Sequence, residues 1–447
     1  MTPPAGPIAA SPGADRSADP YLPQHGNGGY RVLHYELDLD YRVVSNRLAG
    51  RAIVTARAVQ ALSRFSLDLA GLRVQSVRVD ERPARFEHRS GKLRIKPERP
   101  VGYGTTFKID IRYGGKPSPV SGRWGDIGWD ELTDGVLVAS QPNGAPSWFP
   151  CNDRPDDKAT YLVRLTAASP YTVLVTGDLV ARRRGAGTTT WVYERNEPTS
   201  PYLMSVQIGR YELVDLAVGG VTQRAAVTPR VRGPFQHDFA RHGQIMTVLA
   251  RLFGPYPFRE YVVVVTDDEL DDPIEAQGMA VFGRNHVDGR RTHERLAVHE
   301  LAHQWFGNSL TVADWRQIWL NEGFATYAEW LWSAASGGVP ADVHATRWHA
   351  WAAAQPPAVT VADPGVDRMF DPLVYKRGAL TLHALRARLG EPAFFALLRT
   401  WVAEHRHRTV TTAQFREHAA RYSADSLDDL FTAWLDRPAL PPLPHVL

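Results

Sequence analysis

The stretch VHELAHQWFG, residues 298–307, sets His299 and His303 four residues apart, with Glu300 directly after the first. On a helix this spacing puts both imidazoles on one face, a turn apart, where their ring nitrogens can converge on a single point. Two imidazoles form two corners of a tetrahedron, and the carboxylate beside the first is placed to hold and deprotonate a water rather than to bind an ion. The chemistry so encoded is metal-assisted hydrolysis. A catalytic zinc needs a third protein ligand and a position left open for water. Glu322, in WLNEGFATYAEW, supplies that ligand after an intervening eighteen residues, 304–321, enough for one helix to end, a loop to turn and a second helix to return. Glu329 lies seven residues further along the same face, where it can accept the spare N–H of a ligand histidine. One zinc ion per chain is the expected cofactor.

The elements that must carry these residues fall into two patterns. From about residue 30 to 216, short runs of alternating polarity such as HYELDLDY, FKIDIRY and TYLVRLTA are split by Gly, Pro and Asp. Period-two runs with such turns indicate an all-β, sandwich-like or saddle-shaped domain. Beyond AVGGV, residues 217–221, the period becomes helical. FQHDFARHGQIMTVLARLFG reads as one helix ending at Gly-Pro, and YVVVV and IEAQGMAVFG read as strands. From residue 291 almost everything is helix-patterned, until the proline-rich ending RPALPPLPHVL, which reads as an extended strap. The expected organisation is α+β and multidomain: a tail over 1–19, a β-domain over 20–216 and a mainly helical catalytic domain with a small mixed sheet over 217–447.

Together, HELAHQWFGN, the eighteen-residue gap and WLNEGFA resemble the gluzincin aminopeptidases, the alanyl aminopeptidase N type that includes the leukotriene epoxide hydrolases. The likeness extends to DPYLPQHGNGGYRVLHYELDLDY, SWFPCNDRPDDKATYLVRL, VYKRGAL and FTAWLDRPALPPLP. It implies a thermolysin-like catalytic domain and zinc-dependent removal of the N-terminal residue of peptides. It also implies a short form without the helical cap of larger relatives, and hence an open cleft. In that family a glutamate in a Gly-Ala-Met-Glu-Asn strand binds the substrate's free amine. The matching DPIEAQGMAVFG puts Glu275 there, keeps Gly278 and brings Met279 towards the first side-chain pocket. The family's Gln-x-Glu or Gln-x-Gln pair corresponds to Gln141 and Asn143, where a neutral amide stands in place of a carboxylate. Tyr375 matches the tyrosine of a Tyr-Glu-Lys-Gly motif, with Lys376 and Arg377 as departures, and a phenol near the metal can donate to a forming oxyanion. Glu300 is then the general base. The altered amine anchor keeps an endopeptidase or leader-peptide protease as an alternative. Epoxide hydrolysis and a non-catalytic binding module are further readings, the last opposed by the presence of all four residues of the metal motif.

Composition narrows the partners. A net charge of +3, with the arginines dispersed along the chain, gives no nucleic-acid footprint. A single cysteine, Cys151, excludes an intramolecular disulfide. No run approaches the roughly 20 apolar residues of a membrane span. Residues 1–19, rich in Pro, Gly, Ala and Ser, lack a leader pattern and read as a disordered tail. A cytoplasmic monomer acting on peptides with a free N-terminus is the resulting expectation.

Overall fold

Alternating polarity in the first half folds into strands that bury one face. In Tyr30–Arg42 the side chains of Tyr35, Leu37, Leu39 and Tyr41 are buried and the intervening acids face outward. The structure, a computed structural model, describes residues 9–217, 220–357 and 359–444. The chain divides into two units, the first ending at Arg210 and the second beginning at Tyr211.

The first unit is built on strands, with only short 3-10 turns among its described residues. Its largest sheet runs, in spatial order, Asp178–Arg184, Thr188–Thr199, Ala159–Ala168, Tyr30–Arg42, Arg47–Ala58, Thr106–Gly115, Arg73–Val79 and Arg82–Pro83. Tyr30–Arg42 pairs antiparallel with Arg47–Ala58 and parallel with Ala159–Ala168, so the sheet is mixed. Smaller four- and five-stranded sheets accompany it, and Trp129, Trp148 and Phe149 join the strand side chains in one core.

Two expectations about boundaries are corrected. Within 1–19, Ser11–Pro12 is a strand paired parallel with Leu62–Asp68, its Ser11 N–H donating to Ala61 O at 2.9 Å. A sheet edge recruits backbone regardless of side-chain composition, so a Pro/Gly/Ala/Ser-rich segment is ordered there; residues 1–8 lie outside the described ones. The join expected at 217–221 lies instead between Glu212–Ala217 and Thr222–Val227, an antiparallel pair inside the second unit. Val218 and Gly219 of that turn are outside the described residues.

The second unit holds a five-stranded mixed sheet in the order Glu212–Ala217, Thr222–Val227, Glu260–Val265, Met279–Phe282 and Ile274–Ala276, the last being an edge. The single helix expected after residue 234 is two, α1 (Arg232–Asp238) and α2 (His242–Phe253). The break coincides with Asp238, whose carboxylate accepts the backbone N–H groups of Asp288, Gly289 and Arg291. Then come α3 (Glu294–Ala302), α4 (Trp319–Ala335), α5 (Ala341–Ala353), α6 (Pro372–Leu389), α7 (Glu391–Glu404) and α8 (Thr412–Ala420). The start of α6 is written locally: the Asp371 side chain accepts from Leu373 N–H at 2.9 Å and Pro372 takes the first position.

Helices α4 and α6 cross where Gly323 meets Gly378. A Cβ on Gly378 would stand 2.9 Å from the Gly323 Cα, so only hydrogen fits between the backbones. The segment 437–444 has no regular secondary structure. Its prolines lack N–H groups but keep their carbonyls, and the buried Arg377 of α6 donates to those of Pro438 (2.7 Å), Ala439 (3.0 Å) and Arg437, as well as to Val359 and Ala433. Among the described residues no helix is long and apolar enough to cross a membrane.

Candidate metal centre

Helix α3 places His299 in its last turn, and His303 caps it. Gly307 then turns the chain with φ 122°, bringing it so close to the ring that a Cβ would stand 3.2 Å from His303 Nδ1. His303 Nδ1 donates to the Phe306 carbonyl at 3.0 Å, and His299 Nδ1 donates to Glu329 Oε1 at 2.8 Å. A carbonyl can only accept, so the outer nitrogen of His303 carries the proton and its Nε2 lone pair points inward; the Glu329 carboxylate orders His299 in the same way.

Glu322 sits in the first turn of α4, where the helix dipole favours negative charge. Its Oε2 lies 3.3 Å from His299 Nε2 and 3.4 Å from His303 Nε2. Ligands held by a tetrahedral ion at about 2.0–2.1 Å stand about 3.3–3.4 Å apart, so Glu322 already keeps a tetrahedral separation from each imidazole, and the three ligand atoms lie within 4.8 Å of one another. All three side chains are buried. Burial opposes charge on each, yet their mutual attraction prevails. Hydrogen bonds to Glu322 and Glu329 lift His299 to about 9, the charge of Glu322 lifts His303 to about 10, and the two imidazoles hold Glu322 down to about 2. The pocket therefore favours positive charge against Glu322, and protons and a divalent cation compete there for the same lone pairs.

Two further carboxylates face this trio. Glu275, on the edge strand Ile274–Ala276, and Glu300 form a group with His303 whose ligand atoms lie within 4.8 Å of one another. Glu300 Oε2 and Glu275 Oε1 are buried with no hydrogen-bond partner. Desolvation raises both, Glu300 to about 8 against the pull of His299 and His303. Orphaned buried oxygens mark places where a ligand's protons belong. The donor set, its spacing and these oxygens together fit a zinc ion with water and an ammonium beside it. Tyr375, near the start of α6, stacks on His299 with ring centroids 6.1 Å apart; burial and the charges of Glu322, Glu275 and Glu300 keep its phenol protonated.

The second unit thus brings together His299, Glu300, His303, Glu322, Glu329, Glu275 and Tyr375. Gly278 adopts φ 82°, and its N–H donates to Gln304 Oε1 at 2.7 Å; Met279 opens the next strand and is buried. Gln141 and Asn143 belong to the first unit. There, Asn143 Nδ2 contacts His25 Nε2 at 2.8 Å, while Asn143 Oδ1 and Gln141 Nε2 have no partner. Sequence reading misses Gln304 and Asn308, whose amides donate to the Ala276 carbonyl at 3.2 and 2.9 Å and fix the Glu275 strand to the end of α3. The available signal is two amides at the end of an otherwise apolar run, in HQWFGN.

Residues 31–203 match the Peptidase M1 N-terminal domain and residues 239–434 the Peptidase family M1 domain. The chain is 24% identical over 442 residues to Aminopeptidase M1-D of Oryza sativa subsp. japonica, covering 91% of this chain and 50% of that protein. It spans about half the length of that curated relative. The M1 zinc metallopeptidase from Deinococcus radiodurans superposes with a TM-score of 0.86 at 30% identity, over 96% of this chain and 98% of that one. A variant of the Deinococcus enzyme, 29% identical with a TM-score of 0.86 over 96% of this chain and 99% of that one, is bound to a Tyr-Ser-Ala substrate. With both halves matched by one family and the metal motif complete, the chain belongs to peptidase family M1, the family of zinc metallopeptidases.

Proposed function

We propose that the chain is a zinc aminopeptidase that hydrolyses the first peptide bond of peptides with a free N-terminus. The observation that carries this reading is the pairing of the clustered His299, His303 and Glu322 ligand atoms with two orphaned carboxylate oxygens, those of Glu300 and Glu275. His299, His303 and Glu322 would hold the ion and Glu329 would orient His299. Zinc, when bound, supplies Lewis acidity for the scissile carbonyl and lowers the pKa of a water towards about 7. Glu300, raised by burial, accepts a proton from the attacking water and returns it to the departing amine. Tyr375, held protonated, donates a hydrogen bond to the oxygen on which negative charge develops. Glu275 pairs with the substrate ammonium, and its place on an edge strand leaves backbone groups for an extended peptide. Gly278 gives the Glu275 hairpin its turn, and Met279 lines the first side-chain pocket.

The orphaned Glu275 oxygen favours an exopeptidase over an endopeptidase, because a blocked N-terminus leaves that carboxylate buried and unpaired. The Tyr-Ser-Ala peptide bound by the Deinococcus variant agrees with a short peptide substrate. Glu300→Gln should lower kcat by about 10²- to 10⁴-fold with zinc retained. N-acetylated peptides should resist the native protein. A near-normal rate for Glu300→Gln, or equal cleavage of blocked and free peptides, contradicts the assignment.

A further inference from the structure

The carboxylate behind His299 has a second oxygen, and the charges around it are positive. Glu329 accepts from His299 Nδ1 at 2.8 Å through Oε1, while its Oε2 faces Arg295 Nη1 at 3.6 Å. This convergence is built into α3, where Arg295 stands four residues before His299, so both side chains leave the same helix face a turn apart. On the other flank is Lys376, at the place in VYKRGAL where the chain departs from the tyrosine motif it otherwise resembles. Its Nζ rests over the Trp348 ring at 4.5 Å, and it lines one cavity wall together with Arg295 and Glu329.

Glu294, the other carboxylate lining that cavity, is engaged by Arg241 and by Trp332 Nε1, which leaves Glu329 as the anion that Arg295 and Lys376 share there. The Glu329 side chain is only 8% exposed and that of Arg295 61% exposed, while Lys376 is partly buried. Burial opposes charge on Glu329, yet the His299 hydrogen bond, the Lys376 ammonium and, behind them, Arg295 hold its carboxyl below the ordinary carboxylate range. Burial likewise pulls Lys376 down, and the Glu329 carboxylate pulls it back up.

Resting on the zinc reading above, we propose that Arg295 and Lys376 are positioning residues that act through Glu329: they offset its charge, leave it a weaker acceptor for His299 Nδ1–H, and keep zinc readily exchangeable. A ligand histidine becomes a better donor as the acceptor behind it gains negative charge. A cation beside that acceptor works the other way, and it also repels a dication across a poorly screened interior. Both effects have one sign, so losing either cation tightens the hold on zinc. A purely structural role has the opposite sign, because a loosened wall frees Glu329 and His299 and lets the ion leave faster.

The test mixes zinc-loaded protein with excess chelator and follows release of the ion, a readout independent of peptide cleavage. Lys376→Met, which keeps the stem over Trp348, should slow release about tenfold, and Lys376→Arg, which keeps the charge, should release at the native rate. Arg295→Gln, at an exposed position that folding tolerates, should slow release about threefold at low salt, and about 0.5 M salt should remove that effect. Release at the native rate or faster in either Lys376→Met or Arg295→Gln overturns the proposal while the zinc reading stands; should Lys376→Met fail to fold, Arg295→Gln decides alone. A native protein that takes up no zinc overturns both.

Discussion

The crossing of α4 and α6 is the tightest constraint on the site, and Gly378→Ala probes it with a single methyl group. The added Cβ would lie 2.9 Å from the Gly323 Cα, with backbone rather than a flexible side chain in the way. An ordinary contact needs about 3.6 Å, so the two helices must separate by roughly 0.5–0.8 Å. Glu322 is the residue before Gly323 on α4, and Tyr375 lies one turn before Gly378 on α6, so the separation moves the phenol relative to the metal ligands. Overpacking of this kind costs about 1–3 kcal/mol, and a misplacement approaching 1 Å at a reacting centre costs up to about 10²-fold. The expected outcome is a lowered Tm and a kcat about 10- to 100-fold down on a single-residue amide, with zinc content close to native. Gly233→Ala is the control: its Cβ meets nothing within 4 Å, and it should leave both quantities unchanged or raise Tm slightly. A Gly378→Ala protein with native Tm and native kcat refutes the reasoning that this close approach positions Tyr375.

Three other outcomes follow from single contacts. Glu329→Leu leaves His299 Nδ1 without its acceptor and should weaken zinc binding about 10- to 100-fold in a chelator-competition assay. Arg377→Leu leaves five carbonyls unpaired around the 437–444 segment and should cost about 2–4 kcal/mol in denaturant unfolding. Desolvation holds His242, buried between Tyr261 and Phe239, down at about 3, so the unfolded chain binds a proton there that the folded chain refuses. Stability from this group is complete above about pH 6.5 and is lost as pH falls towards about 3; His242→Gln should flatten that part of the acid-unfolding curve by on the order of a few kcal/mol.

The proposed metal centre is legible in the sequence because its geometry is local. Four residues separate His299 from His303, seven separate Glu322 from Glu329, and helix periodicity alone aims each pair. The return of Glu322 to the histidines follows from the loop length. Tyr375 and Glu275 emerge only through the family likeness, since nothing near them in sequence points to a metal. What escaped reading depends on partners distant in sequence. Gln304 and Asn308 matter through the Ala276 carbonyl, Ser11 through the backbone of Ala61, and the break between α1 and α2 goes with the loop that Asp238 caps.

Metal analysis of the purified protein alongside activity tests the central claim most directly. One zinc per chain, lost together with activity in His303→Ala and in Glu322→Ala, and restored to chelator-stripped native protein by adding zinc, is the expected result. Full activity in protein stripped of metal contradicts the account.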